Sequence, residues 1–184
     1  MLKNTLTNYG WLSRSIHWLS ALLVLGLFAL GWWMSGLSYY HEWYRTAPDL
    51  HRSFGILLAT LTLIRLVWYK ISPKPKPLAH YTVVERKVGI AVHHVLMLLL
   101  FVMFVSGYLI TTAKGDPIYF FNLMAIPSLI NGVDNLEDIA GNIHEISAYS
   151  IIALVVLHIA GALKHHLIDK DTTLTRMLGV NKQD

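Results

Sequence analysis

Histidine is the residue type in this chain whose placement points to chemistry. His17, His51, His93, His94 and His158 fall inside long apolar stretches, and His144 stands at the start of one. Ionisable side chains in a hydrocarbon setting are costly, so each of them needs a partner. The same stretches contain one deep arginine, Arg65, and no carboxylate in their interiors. A proton pump or ion antiporter keeps an Asp or Glu in its path, which argues against that class. Neutral imidazole without thiolate or carboxylate neighbours suits axial ligation of haem iron. The chain has no cysteine, which excludes disulfides, thiolate metal sites, iron–sulfur clusters and covalent C-x-x-C-H attachment of haem.

The elements that must carry these histidines follow from composition. Of 184 residues, 54% are hydrophobic and 14% charged, against about 25% charged in an ordinary soluble domain. A helix that crosses hydrocarbon needs about 20 mostly apolar residues. Four segments satisfy this, at about 14–37, 50–70, 88–113 and 143–166. Too little polar sequence remains to coat four such helices as a soluble core. The expected fold is therefore all-α: an integral membrane four-helix up-and-down bundle, one domain over residues 1–184. The first segment reads as a retained span, since it is longer than a signal h-region and has no small-residue cleavage site.

Four spans put both termini on one side. Lys3 and Arg14, the connection with Lys70, Lys74, Lys76, Arg86 and Lys87, and the tail with Lys164, Lys170, Arg176 and Lys182 all fall on that side. The positive-inside rule makes it cytoplasmic and predicts a bacterial inner-membrane protein. The net charge of +4 is then mostly a property of this face and suits lipid headgroups. No aromatic-basic pattern of a nucleic-acid binder is present. Ser72 to Pro77 alternates proline with lysine, a semi-rigid extended spacer. Tyr119, Phe120 and Phe121, and Trp32, Trp33, Tyr39, Tyr40, Trp43 and Tyr44, are expected at the opposite membrane surface as anchors.

Depth restricts how the histidines pair. His17 lies near the inner end of span one and His51 opens span two at the outer side. His144 opens span four at the outer side, and His158 follows 14 residues later. At about 1.5 Å per residue that is roughly 21 Å deeper, and 14 steps of about 100° return to within about 40° of the same face. His144 can meet His51, and His158 can meet His17, giving two stacked sites. Arg65, 14 residues after His51, suits a haem propionate or snorkels to the interface. Gly55 and Gly161 leave room for a flat macrocycle or for helix packing. His93 or His94 can replace His158 as partner of His17, although only span four has the two-depth spacing. His41, His80, His165 and His166 read as solvated or interfacial.

These residues together resemble the bacterial cytochrome b561 family. Ser15-Ile16-His17-Trp18 resembles its entry into helix one. Leu50-His51-Arg52-Ser53-Phe54-Gly55, with Arg65 beyond, resembles helix two. His93 and Ser106-Gly107-Tyr108-Leu109 resemble helix three, and His144 with His158 resembles helix four. The tail from Lys164-His165-His166 to Lys170-Asp171-Thr172-Thr173-Leu174-Thr175-Arg176-Met177 matches too, so the resemblance covers nearly the whole chain. It implies two non-covalent b-type haems, His17 with His158 and His51 with His144, and a helix-three histidine that is not a ligand. Phe104 stands where helix three often has proline, so no kink is carried over.

The expected function is single-electron transfer by a di-haem cytochrome, across or within the membrane, as a quinone-linked oxidoreductase. Membrane lipids, quinone and an outer-face donor or acceptor, with superoxide or a periplasmic redox protein as candidates, are the expected partners. The alternatives are a membrane anchor or electron-relay subunit of a larger dehydrogenase, and a histidine-based metal or proton transporter.

Overall fold

A computed structural model describes residues 1–78, 81–130 and 132–180. His80 and Lys182 lie outside the described residues. Four long helices, α1 (Trp11–Ser35), α2 (Thr46–Ile71), α3 (Val83–Thr112) and α4 (Leu136–Leu167), make up most of the chain. A short antiparallel hairpin, β1 (Ile118–Phe120) and β2 (Met124–Ile126), joins α3 to α4, and a six-residue α5 (Thr173–Leu178) follows α4. All four long helices are long and apolar enough to cross a membrane. Even α1, with 25 residues, reaches past the roughly 30 Å of hydrocarbon at about 1.5 Å per residue. The protein is a multi-pass membrane protein with a helical bundle, as its composition requires.

Local chemistry sets the helix ends. The Ser72 N–H donates to the Trp68 carbonyl at 2.9 Å, and the prolines that follow cannot continue α2. Thr82 caps α3 in a reciprocal box with Glu85: the Glu85 N–H donates to the Thr82 hydroxyl at 3.2 Å, and the Thr82 N–H donates to the Glu85 carboxylate at 2.9 Å. α4 has Glu137 and Asp138 in its first turn and Lys164, His165 and His166 in its last, both matched to the helix dipole.

The bundle is small inside and large outside. Buried positions include Ser20, Ala47, Ser53, Thr62, Ser106, Thr112, Ala140 and Ser147, while Leu22, Trp32, Leu98, Val105, Val156 and Leu157 are exposed. In lipid there is no gain from hiding large apolar side chains, so small residues take the contacts where backbones approach. Two buried threonine hydroxyls return to their own helix. Thr62 donates to the Leu58 carbonyl at 2.8 Å and Thr112 to the Tyr108 carbonyl at 2.9 Å, which satisfies them without water. α1 packs mainly on α2 and α3 mainly on α4, while the two pairs touch only sparsely. The histidines project into the seam between the pairs.

Two features differ from expectation. α3 begins at Val83 and α4 at Leu136, each ahead of the expected span, because the capping box and the acidic first turn extend the helices through polar sequence. The aromatic segment at Tyr119–Phe121 is not only a surface anchor. Phe121 (φ 47°) and Asn122 (φ 58°) turn the chain, and the hairpin seats on α2. The Phe121 N–H donates to the buried Ser53 hydroxyl at 3.0 Å, and the Phe121 ring meets Phe54 edge-on at 5.3 Å. Strand pairing satisfies backbone groups that an irregular loop would leave open.

The hairpin marks one end of the bundle. At the other, the terminal end, the N-terminal arm, the 72–78 connection and α5 are tied together. The Asn4 side-chain amide donates to the Pro73 carbonyl at 3.0 Å, the Lys76 N–H to the Leu6 carbonyl at 2.8 Å, and the Trp18 indole to the Met177 carbonyl at 3.0 Å.

Candidate functional site

The four histidines singled out by depth come together as two pairs. His17 on α1 faces His158 on α4 with ring centroids 6.2 Å apart and planes at 67°. His51 on α2 faces His144 on α4 at 6.2 Å and 67°. The two pairs thus have the same geometry at opposite ends of the bundle, and α4 contributes one ring to each. Its helix is unbroken from residue 136 to 167, so 14 residues bring the second ring back to the same stripe.

This spacing can be tested against a metal. An imidazole nitrogen bound to a transition metal stands about 2 Å from it, and a ring centre lies about 1 Å further, so two rings on opposite sides of one ion have centres about 6 Å apart. Both pairs meet this requirement. Direct hydrogen bonding between the rings would bring them closer. The Nδ1 atoms of His17 and His51 are buried and without a hydrogen-bond partner, as expected of rings held for something other than a protein neighbour.

His144 is oriented by a residue that the sequence does not single out. The buried Ser106 hydroxyl has one proton, and it points at the Val102 carbonyl at 2.7 Å. Its oxygen is then free to accept from Nδ1–H of His144 at 3.1 Å. That fixes the tautomer and leaves Nε2 of His144 the unprotonated ring nitrogen. A Ser followed by Gly on an otherwise apolar helix is the available sequence signal, but it gives no partner.

At the terminal end a third imidazole joins the pair. His93 on α3 lies 5.2 Å from His158, edge-on at 65°, which is too close for the two rings to flank an ion. Arg65 is near enough to act electrostatically on His17, His93 and His158, and among the described residues no hydrogen bond or ion pair holds it. His94 instead turns its Nδ1 to the Ile90 carbonyl at 2.8 Å on its own helix and takes no part.

The loop and tail histidines divide. His41 lies beside Trp33 at 6.0 Å and accepts from the Trp43 N–H at 3.1 Å, an interfacial setting. His165 is not solvated: its Nδ1 lies 2.8 Å from Asp169 and 3.3 Å from Asp171, and its ring stacks on Tyr81 at 4.7 Å. Glu85, His165 and Asp169 cluster tightly, but Lys164 Nζ already lies 2.5 Å from Glu85 and 2.8 Å from Asp169. The lysine ammonium is the cation of this cluster.

At the hairpin end a cavity of about 380 Å³ opens beside Arg52, the residue after His51. Two ion pairs line it, Arg52 with Asp49 and Lys114 with Glu137 at 2.5 Å. The Glu137 carboxylate accepts a hydrogen bond from Lys114 and holds its ammonium above the ordinary lysine range.

A family model described as prokaryotic cytochrome b561 matches residues 8–180. The chain is 49% identical over 181 residues to cytochrome b561 homolog 2 of Escherichia coli (strain K12), covering 98% of this chain and 96% of the relative. It is 29% identical over 183 residues to the probable superoxide oxidase CybB of Yersinia pestis, covering 92% and 95%. It is 26% identical over 167 residues to cytochrome b561 homolog 1 of Escherichia coli (strain K12), covering 89% and 92%.

Proposed function

Because this chain belongs to the prokaryotic cytochrome b561 family, we propose that it is a di-haem b-type cytochrome that passes single electrons between the two membrane faces, with quinone as its partner in the lipid phase. The family implies membrane electron transfer and binding of b-type haem. The observation that supports two haems is the pair of imidazole couples with the same 6.2 Å spacing. When bound, each haem supplies a one-electron iron couple.

The chain's own residues do the rest. His17 and His158 hold one iron and His51 and His144 the other, each through a neutral ring nitrogen. With two imidazoles from this chain committed to each iron, the bound group would exchange electrons by outer-sphere transfer. Ser106 fixes the His144 tautomer. Arg65 supplies the positive charge that a haem propionate needs at the terminal end. The apolar side chains around the pairs exclude water. The terminal end, with its lysines and arginines, is the cytoplasmic face of a bacterial inner membrane.

The superoxide reading has a specific basis, since a 29%-identical relative is named a probable superoxide oxidase. In that reading superoxide gives its electron at the hairpin end and quinone takes it up. A stable soluble partner on purification would favour a dehydrogenase subunit instead.

The test is a haem count per chain with reduced-minus-oxidised spectra. The purified protein is expected to carry two haems b, reducible by added quinol. His51→Ala and His144→Ala should each remove one haem, and the double variant no more than one. His17→Ala with His51→Ala should remove both. A single haem in the native protein, or a His51→Ala, His144→Ala double variant that loses two, overturns the pairing. A haem that neither quinol nor superoxide reduces overturns the assigned partners.

A further inference from the structure

We propose that Gly31 and Gly107 are positioning residues for the two imidazoles at the hairpin end, each acting as a backstop that sets how its histidine presents to the iron. The proposal rests on the haem reading above.

The geometry is the same on both sides of the bundle. Gly31 of α1 lies against His51 on the neighbouring α2, and Gly107 of α3 lies against His144 on the neighbouring α4. A Cβ at Gly31 would stand 3.1 Å from Cε1 of His51 and 3.6 Å from its Nδ1; a Cβ at Gly107 would stand 3.1 Å and 3.4 Å from the same atoms of His144. Comfortable separation between carbon atoms is about 3.5–4.0 Å. Each ring therefore rests its Cε1–Nδ1 edge on a helix surface that only a glycine keeps low enough.

The contact is selective. A Cβ at Gly26, Gly55, Gly89, Gly141 or Gly161 would meet nothing within 4 Å, so none of these glycines backs a histidine. Among the described residues, no such contact supports His17 or His158. The hairpin-end couple is thus held from behind by both helix pairs, and the terminal-end couple is not. Two helices unrelated in sequence make one contact on both members of one couple, which is more than a packing accident of either helix.

Gly31→Ala or Gly107→Ala leaves the helix fully able to form, since alanine is the better helix residue. The added methyl must then push the ring by a few tenths of an ångström, changing its tilt. Ring orientation and outer contacts of an axial ligand tune the potential and electronic structure of the iron. Whatever part of an off-rotamer strain differs between oxidised and reduced iron shifts the reduction equilibrium, by about tenfold at most.

The test uses the purified holoprotein, its ferric electron paramagnetic resonance spectrum and a redox titration. The hairpin-end signal is identified as the one that His51→Ala removes. Gly31→Ala and Gly107→Ala are each expected to shift or abolish that signal and its midpoint while the other haem is unchanged. Gly26→Ala, on a different face of α1, is the matched control and should move neither. A hairpin-end signal that either glycine variant leaves in place, or an equal effect on both haems, overturns the proposal. If the native protein lacks two low-spin signals, the haem reading itself fails, whatever the glycine variants do.

Discussion

His93 and His158 hold their rings 5.2 Å apart, closer than either of the two couples at 6.2 Å. An ion flanked by two imidazoles does not fit in the shorter gap. His93→Ala is therefore expected to keep two haems per chain, with a changed terminal-end midpoint, since Arg65 and His93 both act on His158. His158→Ala is expected to keep one. Pyridine haemochrome counts on the two variants decide between them, and loss of a haem in His93→Ala alone reverses the assignment.

Ser106 holds His144 from α3 at 3.1 Å. Ser106→Ala removes that acceptor and leaves His144 only its hydrogen bond to the Met103 backbone. Loss of an outer contact to a metal-binding histidine weakens the metal group by about 10- to 100-fold. Ser106→Ala should therefore lose hairpin-end haem during dilution or mild competition, before the terminal-end haem. Haem release followed by Soret absorbance checks this. Equal release from both sites would remove Ser106 from its role.

The contact between the α1/α2 and α3/α4 pairs is sparse, so haem held across the seam by the proposed couples would be a structural member. Anything that binds only the assembled bundle stabilises it by about 4 kcal/mol at a thousandfold excess over its dissociation constant. Protein produced under haem depletion is expected to unfold at a lower temperature than holoprotein, and to be cut faster in the 72–78 connection. Limited proteolysis of both forms, read by mass spectrometry, gives the result. Equal cutting rates would mean that the helix pairs hold together unaided.

Sidedness can be read directly because the chain has no cysteine. Leu123, 82% exposed at the hairpin, and Lys74 in the connection between α2 and α3 mark the two ends. Leu123→Cys should react with a membrane-impermeant maleimide in intact spheroplasts, and Lys74→Cys only after permeabilisation. The reverse pattern would turn the protein over in the membrane.

Much of this arrangement is legible in the sequence because two simple periods govern it. Hydrocarbon thickness fixes four apolar stretches, and the 3.6-residue turn puts His144 and His158 on one stripe. The meeting of His17 with His158 and of His51 with His144 follows once depth is counted from the span ends. What the sequence hides depends on register between helices. Gly31 is 20 residues before His51 in the chain, and nothing local links them; only the packing of α1 on α2 does. Ser106 is hidden for the same reason. The hairpin is missed because each strand has three residues, too few for alternation to show, and Asn122 in its left-handed turn is the sole cue. His165 reads as solvated or interfacial by position alone, since Asp169 and Asp171 fold back on it only after α4 ends.

One consequence of the layout concerns α4, which lends a ring to each couple. The helix is a common axle: a change that twists it swings both imidazoles in the same sense at once. A substitution at one position on α1 or α2, such as Gly31 against His51 or Arg65 beside His17 and His158, can act on one couple alone. Substitutions that rotate α4 cannot, so any difference between the two couples would be set from its partner helices.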